Sequence, residues 1–343
     1  MIQIIQGDCR EALKGLADES INCCVTSPPY FGLRDYGVAG QIGLEGTPDA
    51  YVAELVSVFR EVRRVLKDDG TLWLNLGDSY AGSGRGMGDV CSTNKGNGAS
   101  RGVGSVLPAG LHENARRAAQ VGRAWVKPPS GLKNKDLIGI PWRVAFALQA
   151  DGWWLRQDII WHKPAPMPES VEDRCTKAHE YIFLLSKSQD YYYDADAIAE
   201  PAAYGSRGSH FDTSKTAEHQ LGRASRKPRT SKKRGEFDGK TNALAGREGV
   251  RAITETRNKR SVWTVATQPY SGAHFATFPP ALIRPCILAG CPMRGVVLDP
   301  FGGSGTTGDV SEMEGRNAVL IELNPDYVAL AEKRTAQTGL FCA

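Results

Sequence analysis

Val296-Val297-Leu298-Asp299-Pro300-Phe301-Gly302-Gly303-Ser304-Gly305-Thr306-Thr307 runs from an apolar stretch into glycines and then into hydroxyl residues. A buried strand, a tight turn and a helix account for that order. The glycines let the backbone approach a ligand closely, and the start of a helix offers unpaired N–H groups. Gly303-x-Gly305-x-x-Gly308 fits the dinucleotide fingerprint, which is a weak match alone. It also departs from that fingerprint, because Asp299-Pro300-Phe301 stands where the first glycine should follow the strand directly. Asn317–Ile321 reads as the next strand, and Glu322-Leu323-Asn324-Pro325 follows it. A carboxylate at that strand end can accept both hydroxyls of a ribose.

The same alternation recurs at the other end of the chain. Ile2–Gln6 reads as a strand that stops at Gly7-Asp8, and Arg10–Ala17 as a short helix. Ile21–Thr26 is a continuous apolar run of the kind found in parallel sheets. It ends in Ser27-Pro28-Pro29-Tyr30. Two prolines cannot continue a ladder, so the chain must leave the sheet there as a stiff loop. Asp49–Leu66 has helical spacing of Val52, Leu55, Val56, Phe59, Val62 and Leu66, with Asp68-Asp69-Gly70 expected to stop it. Thr71–Leu76, Trp154–Trp161, Tyr181–Leu185 and Val296–Leu298 read as strands. Trp142–Ala150, Pro279–Leu288, Ser304–Glu314 and Asp326–Thr335 read as helices. Alternating strands and helices imply one α/β domain with a mostly parallel sheet.

Composition is that of an ordinary folded protein, with 41% hydrophobic and 23% charged residues among 343. No apolar run approaches the roughly 18 residues of a membrane span. The start of the chain lacks the basic segment of a signal peptide. Eight cysteines form no CxxC pair and no cluster with His at zinc spacing, so we expect reduced thiols, a cytoplasmic setting and no metal. Net charge is only +4 but unevenly spread. Residues 201–260 hold 15 Lys and Arg against 6 Asp and Glu, a local +9. Residues 81–135 add 9 Lys and Arg against 2 acidic residues, and 81–110 alone hold nine glycines. Both stretches lack periodicity and read as insertions, and their charge suggests a polyanion partner. Arg226-Lys227-Pro228-Arg229 and Lys232-Lys233-Arg234 are dense enough to contact phosphates.

Together these motifs resemble the β arrangement of the S-adenosylmethionine-dependent DNA amino-methyltransferases, over roughly residues 1–80, 137–200 and 262–337. The resemblance implies a circularly permuted, Rossmann-like methyltransferase sheet. Asp299, Phe301, Gly303 and Gly305 match the family's DPFxGSGT cofactor motif, with Ser304 and Thr306 in the same turn. Glu322 corresponds to the acidic residue that holds the ribose, with Asn324 beside it, and Asp8 lies near the adenine. His274-Phe275-Ala276-Thr277-Phe278-Pro279 is similar to the HxATFP segment that closes the cofactor pocket. Ile160–Pro164 and His179-Glu180-Tyr181 resemble the region beside the target base. Ser27, Pro28, Pro29 and Tyr30 stand where the family has its catalytic tetrapeptide, with Tyr30 stacking on a flipped base. The catalytic loop precedes the cofactor loop, the reverse of most methyltransferases, and the family places target recognition in the insert between them.

These resemblances imply methyl transfer from S-adenosyl-L-methionine to N4 of cytosine or N6 of adenine in double-stranded DNA. Serine in the tetrapeptide is the form usually associated with cytosine, although either base fits the physics. The expected organisation is a catalytic half at 1–80 and 137–200 and a flexible insertion at 81–136. A recognition region at 201–261 and a cofactor half at 262–343 complete it. A homodimer and a separately encoded restriction endonuclease are compatible with this reading. Pro285-Cys286 is the Pro-Cys pair a carbon-5 cytosine enzyme would need, but it falls in an apolar helix where core packing explains it better. RNA or protein-glutamine methylation, or a DNA-binding regulator with vestigial catalysis, are the alternatives. The motif order and the intact Ser27, Tyr30 and glycine turn argue against them.

Overall fold

The computed structural model describes residues 1–81, 131–202, 256–268 and 278–338. Strand β2, Ile21–Thr26, is buried at every position. It lies between β3, Leu66–Leu76, and β9, Val296–Asp299, and is parallel to both. On the β9 side the sheet continues in parallel through β10, Asn317–Glu322, to β1, Ile2–Gln6. On the β3 side it continues through β5, His179–Ser186, then β4, Trp154–His162, to the short edge strand β8, Val262–Thr264. β5 is antiparallel to both neighbours, and every other pair in this eight-stranded sheet is parallel. The expected mostly parallel α/β sheet is therefore present.

Helices cover the sheet where their apolar stripes dictate. After the short α1, Cys9–Ala12, α2 runs over Pro48–Val65. Thr47 caps α2 by accepting the Ala50 N–H, and Pro48 opens it. Its buried stripe of Tyr51, Leu55, Val58, Phe59 and Val62 packs in one core with Val144, Ala145 and Leu148 of α3, Ile140–Ala150. Each such side chain contributes about 1.5–3 kcal/mol by leaving water. α4, Pro280–Gly290, packs on β2 and β3, α5, Thr306–Met313, on β9 and β10, and α6, Pro325–Thr338, on β1 and β10. A second unit, Ile198–Lys259, is described at its ends only. There β6, Glu200–Pro201, pairs antiparallel with β7, Thr256–Arg257, and Glu200 lies 3.5 Å from Arg257 and 3.8 Å from Lys259.

Most boundaries fall within three residues of expectation, and three of the differences have a clear physical cause. The first helix closes as a 3-10 turn over Leu13–Gly15 instead of running to Ala17. α2 yields to strand at Leu66, because fully buried Leu66 takes an extended backbone and pairs with Ile21. Pairing shifts before Cys23 meets Thr71, so Asp68 and Asp69 stay exposed within the strand span. α5 begins at Thr306, since Gly305 at its N-cap is left-handed with φ of 81°. β8 went unrecognised because three residues carry no readable period.

Candidate active site

Because β2 and β9 are adjacent and parallel, they deliver Ser27–Tyr30 and Pro300–Gly305 to the same edge of the sheet, where α/β proteins hold ligands. A buried carboxylate joins the two loops. Thr26 Oγ1 donates to Asp299 Oδ1 at 2.6 Å, and Thr307 Oγ1 donates to Oδ2 at 2.6 Å. The Phe301 N–H also donates to Oδ1, at 3.0 Å. Burial pushes the Asp299 pKa up, and these three donors oppose that shift. The carboxylate borders the cleft, yet both of its oxygens are engaged by the protein.

An open cleft of about 900 Å³ lies above this link. Ser27, Pro29, Asp8, Phe278, Asp299, Phe301, Gly303, Ser304, Thr306, Glu322 and Asn324 all border it. Gly305 shapes it from behind: any side chain there would meet Ala331 of α6 at 2.9 Å, in a backbone conformation that already favours glycine. Arg334 donates to Thr306 Oγ1 at 2.8 Å and to Ser304 Oγ at 3.4 Å, which fixes both hydroxyls. Glu322 Oε2 accepts the Gly303 N–H and Oε1 the Asn324 N–H, each at 2.8 Å. One lone pair on each oxygen remains for a ligand hydroxyl. Burial raises the Glu322 pKa against those two bonds. Asp8 caps α1 and pairs with Arg10 at 2.6 Å, which holds its pKa low. A glycine cradle, a diol acceptor and an apolar wall that includes Phe278 and Ile42 fit an adenosyl amino acid.

Tyr30 turns away from this cleft. Its hydroxyl donates to Glu180 Oε2 at 2.7 Å and lies 3.3 Å from Asn75 Oδ1. Glu180 Oε1 in turn accepts from Lys163, whose ammonium sits 4.3 Å from the centre of the Trp161 ring. The phenol pKa is raised, first by burial and then by the Glu180 charge, while the hydrogen-bonding Ser27 hydroxyl lowers it.

Residues 21–333 match the N6_N4_Mtase family, described as DNA methylase. The chain belongs to this family. It is 46% identical over 334 residues to the Type II methyltransferase M.SmaI of Serratia marcescens, covering 97% of this chain and 90% of that one. Identity to M.Cfr9I of Citrobacter freundii is 44% over 333 residues, covering 96% and 86%. Among solved structures, the PvuII cytosine-N4-specific DNA methyltransferase superposes with a TM-score of 0.57 at 18% identity, covering 97% of this chain and 86% of that one. The Thermus thermophilus protein TTHA0409, solved in complex with S-adenosyl-L-methionine, superposes at 0.53 and 21% identity, covering 98% and 96%. This chain is thus a DNA amino-methyltransferase that uses S-adenosyl-L-methionine. Among the described residues no helix is long and apolar enough to cross a membrane.

Two expected residues do not line the cofactor cleft with their side chains. Pro28 is buried beneath the loop, and Pro279 caps α4. His274, Phe275 and Thr277 lie outside the described residues, as do Arg226, Lys227, Arg229, Lys232, Lys233 and Arg234. The Pro29 carbonyl is taken by the Tyr51 hydroxyl at 2.8 Å. Cys286 is 1% exposed, and its thiol faces the Leu282 carbonyl within α4. Cys9, which borders the cleft, has its thiol pushed up to about 12, chiefly by burial.

Sequence reasoning missed the loop Tyr36–Ile42 and Tyr327, which complete the cleft. Tyr36 and Tyr327 meet edge to face at 6.3 Å, and the Gln41 side chain holds the loop through the Tyr36 N–H at 2.7 Å. The available signal was a tyrosine among closely spaced glycines directly after the tetrapeptide.

Gly77 supplies a test of the Tyr30 position. A Cβ on Gly77 would lie 2.5 Å from Tyr30 Cε2, and a rigid ring offers no hinge to relieve the clash. Gly77→Ala is expected to lower methylation by roughly 100-fold, the scale of misplaced catalytic groups. Cofactor affinity, measured by calorimetry, should be unchanged because neither Gly77 nor Tyr30 borders the cleft.

Proposed function

We propose that this methyltransferase modifies N4 of cytosine within a specific site in double-stranded DNA. The observation that carries the reading is Ser27, which borders the cleft beside the cofactor loop. An exocyclic amine is a poor nucleophile because its lone pair is delocalised into the ring. Ser27 Oγ and the Pro28 carbonyl accept its two hydrogens, which favours a pyramidal nitrogen. Bound S-adenosyl-L-methionine supplies the electrophilic methyl group. Glu322 would hold the ribose hydroxyls, Asp8 would lie by the adenine, and the turn from Asp299 to Thr306 would take the methionine part. No covalent enzyme intermediate is needed, so the protein contributes position and electrostatics. The target base leaves the duplex to reach Ser27, with Tyr30 beside it.

The basic region 201–261 supports a role in target recognition. Arg226, Lys227, Arg229, Lys232, Lys233 and Arg234 contact phosphates there, while neighbouring side chains read bases. The remaining parts are the catalytic segments 1–80 and 137–200, the insertion 81–136 and the cofactor half 262–343. The reading extends to a cytoplasmic enzyme, working alone or as a homodimer, alongside a separately encoded endonuclease. Mass spectrometry of nucleosides from DNA treated with the protein is expected to show N4-methylcytosine. N6-methyladenine as the sole product would overturn the choice of base.

A further inference from the structure

We infer that Glu180 is a positioning residue: it tethers the Tyr30 hydroxyl, so that the ring is already set where the extruded base must lie. This rests on the reading that Tyr30 stands beside that base. A tyrosine side chain pivots about the two bonds next to its backbone. Its ring is set only when one contact fixes the far end and another blocks rotation. Both are present. The hydroxyl donates to Glu180 Oε2 at 2.7 Å, and a second acceptor, Asn75 Oδ1, lies 3.3 Å away. Gly77 lies so close to the ring that an added Cβ would stand 2.5 Å from Cε2, 3.0 Å from Cδ2 and 3.2 Å from Cζ.

Glu180 can act as a tether because it is itself held. Its backbone lies in β5, between β3, which carries Asn75, and β4, whose Trp161 is its register partner. Lys163, one residue past β4, pairs with Oε1, and its ammonium sits 4.3 Å from the centre of the Trp161 ring. The Lys163 N–H donates to the Ala178 carbonyl at 2.8 Å, which ties the ends of β4 and β5 together. Asn75 Nδ2 donates to Oε2 at 3.4 Å and to the Tyr181 carbonyl at 3.0 Å, which orients the carboxylate. Three strands thus converge on one phenol.

The Lys163 and Glu180 side chains are only 19% and 15% exposed. Withdrawing an ion pair from water costs about as much as the pair returns, so stability alone is a weak reason for it. A fixed acceptor for a neighbouring hydroxyl is a better one, since hydrogen bonds to charged groups are shorter and stronger than neutral ones. Placement matters because methyl transfer is in line. A base that tilts carries its nitrogen off that line, and a displacement of roughly 1 Å costs about 100-fold in rate.

Tyr30→Phe removes only the tethered hydroxyl and leaves the Lys163–Glu180 pair in place. Its single-turnover rate, followed as labelled methyl entering unmodified genomic DNA, is expected to fall about 10- to 100-fold. The DNA concentration for half-maximal rate and the calorimetric affinity for S-adenosyl-L-methionine should stay within about twofold of wild type. Glu180→Ala should show at least the same loss. Glu180→Gln should recover most of it, because an amide offers the hydroxyl either an oxygen or an N–H. Tyr30→Phe combined with Glu180→Ala should be no slower than the slower single variant, as two groups acting as a unit require. A Tyr30→Phe enzyme with the wild-type rate would overturn the tether. So would a Glu180→Gln enzyme as slow as Glu180→Ala, or losses that multiply in the double variant. Tyr30→Ala separates the tether from the reading beneath it. If Tyr30→Ala is slow while Tyr30→Phe is normal, the base still lies on the ring and only the tether fails. If Tyr30→Ala is fully active, the placement of the base beside Tyr30 fails first.

Discussion

Ser27→Ala lowers single-turnover methylation by about 100- to 1,000-fold, the scale on which one preorganised hydrogen-bonding group acts in a transition state. Ser27 is the polar side chain of the tetrapeptide that reaches the cleft, since Pro28 is buried and Tyr30 faces Glu180. Its loss leaves one amino hydrogen without an acceptor as the nitrogen becomes pyramidal. Ser27 is partly exposed and makes no long-range tie comparable to that of Thr26, so folding should change little. Calorimetric titration of S-adenosyl-L-methionine should therefore match the wild type while rapid-quench transfer of labelled methyl slows. Equal quench rates for variant and wild type would remove Ser27 from the reaction.

Asp299→Ala produces the second large effect, on both folding and binding. It strands the hydroxyls of Thr26 and Thr307 and the N–H of Phe301. Each orphaned buried donor costs about 1–3 kcal/mol, and neighbours do not add fully. We expect a stability loss of roughly 3 kcal/mol or more, with a melting temperature lower by several degrees. Cofactor affinity should fall with it, because Phe301 and the glycine turn lose their anchor. Asp299→Asn is milder, since the amide keeps an acceptor for Thr26 and Phe301. The two forms also separate with pH. Burial raises the folded pKa of Asp299 above the ordinary 3.8, so its stabilising contribution is greatest below that value. That contribution declines as pH rises through the higher folded pKa. The stability advantage of wild type over Asp299→Asn should thus shrink as pH rises above about 4 in thermal melts. A constant gap across that range would show that Asp299 does not titrate as described.

The parts that were legible in the sequence share one property: local order forces them. Ile21–Thr26 and Val296–Asp299 are short buried runs ended by Pro-Pro or by glycine, and their limits came within a residue. Glu322 was legible as the carboxylate at the end of a short buried strand, and it borders the cleft. The parts that were not legible depend on encounters across the chain. Tyr30 was read as a platform for a base, yet the partner that fixes its hydroxyl lies 150 residues away. Asp299 was read as a cofactor contact, while Thr26, 273 residues distant, occupies one of its oxygens. The Tyr36–Ile42 loop closes the cleft with irregular backbone, which leaves no period to detect.

Strand pairing by β1 and β2 has a consequence for how the protein is made. The neighbours of β1 and of one flank of β2 are β10 and β9, which emerge from the ribosome some 270 residues or more later. At ordinary elongation speeds, 273 residues take about 14 to 55 s. For that interval a nascent chain carries the catalytic loop on a half-built sheet, with an open edge along the hydrophobic strand Ile21–Thr26. Such edges pair readily with other chains. The permuted order therefore places the moment of greatest aggregation risk early in synthesis, and keeps the enzyme without a methyl-donor cleft until almost the last strand has been translated.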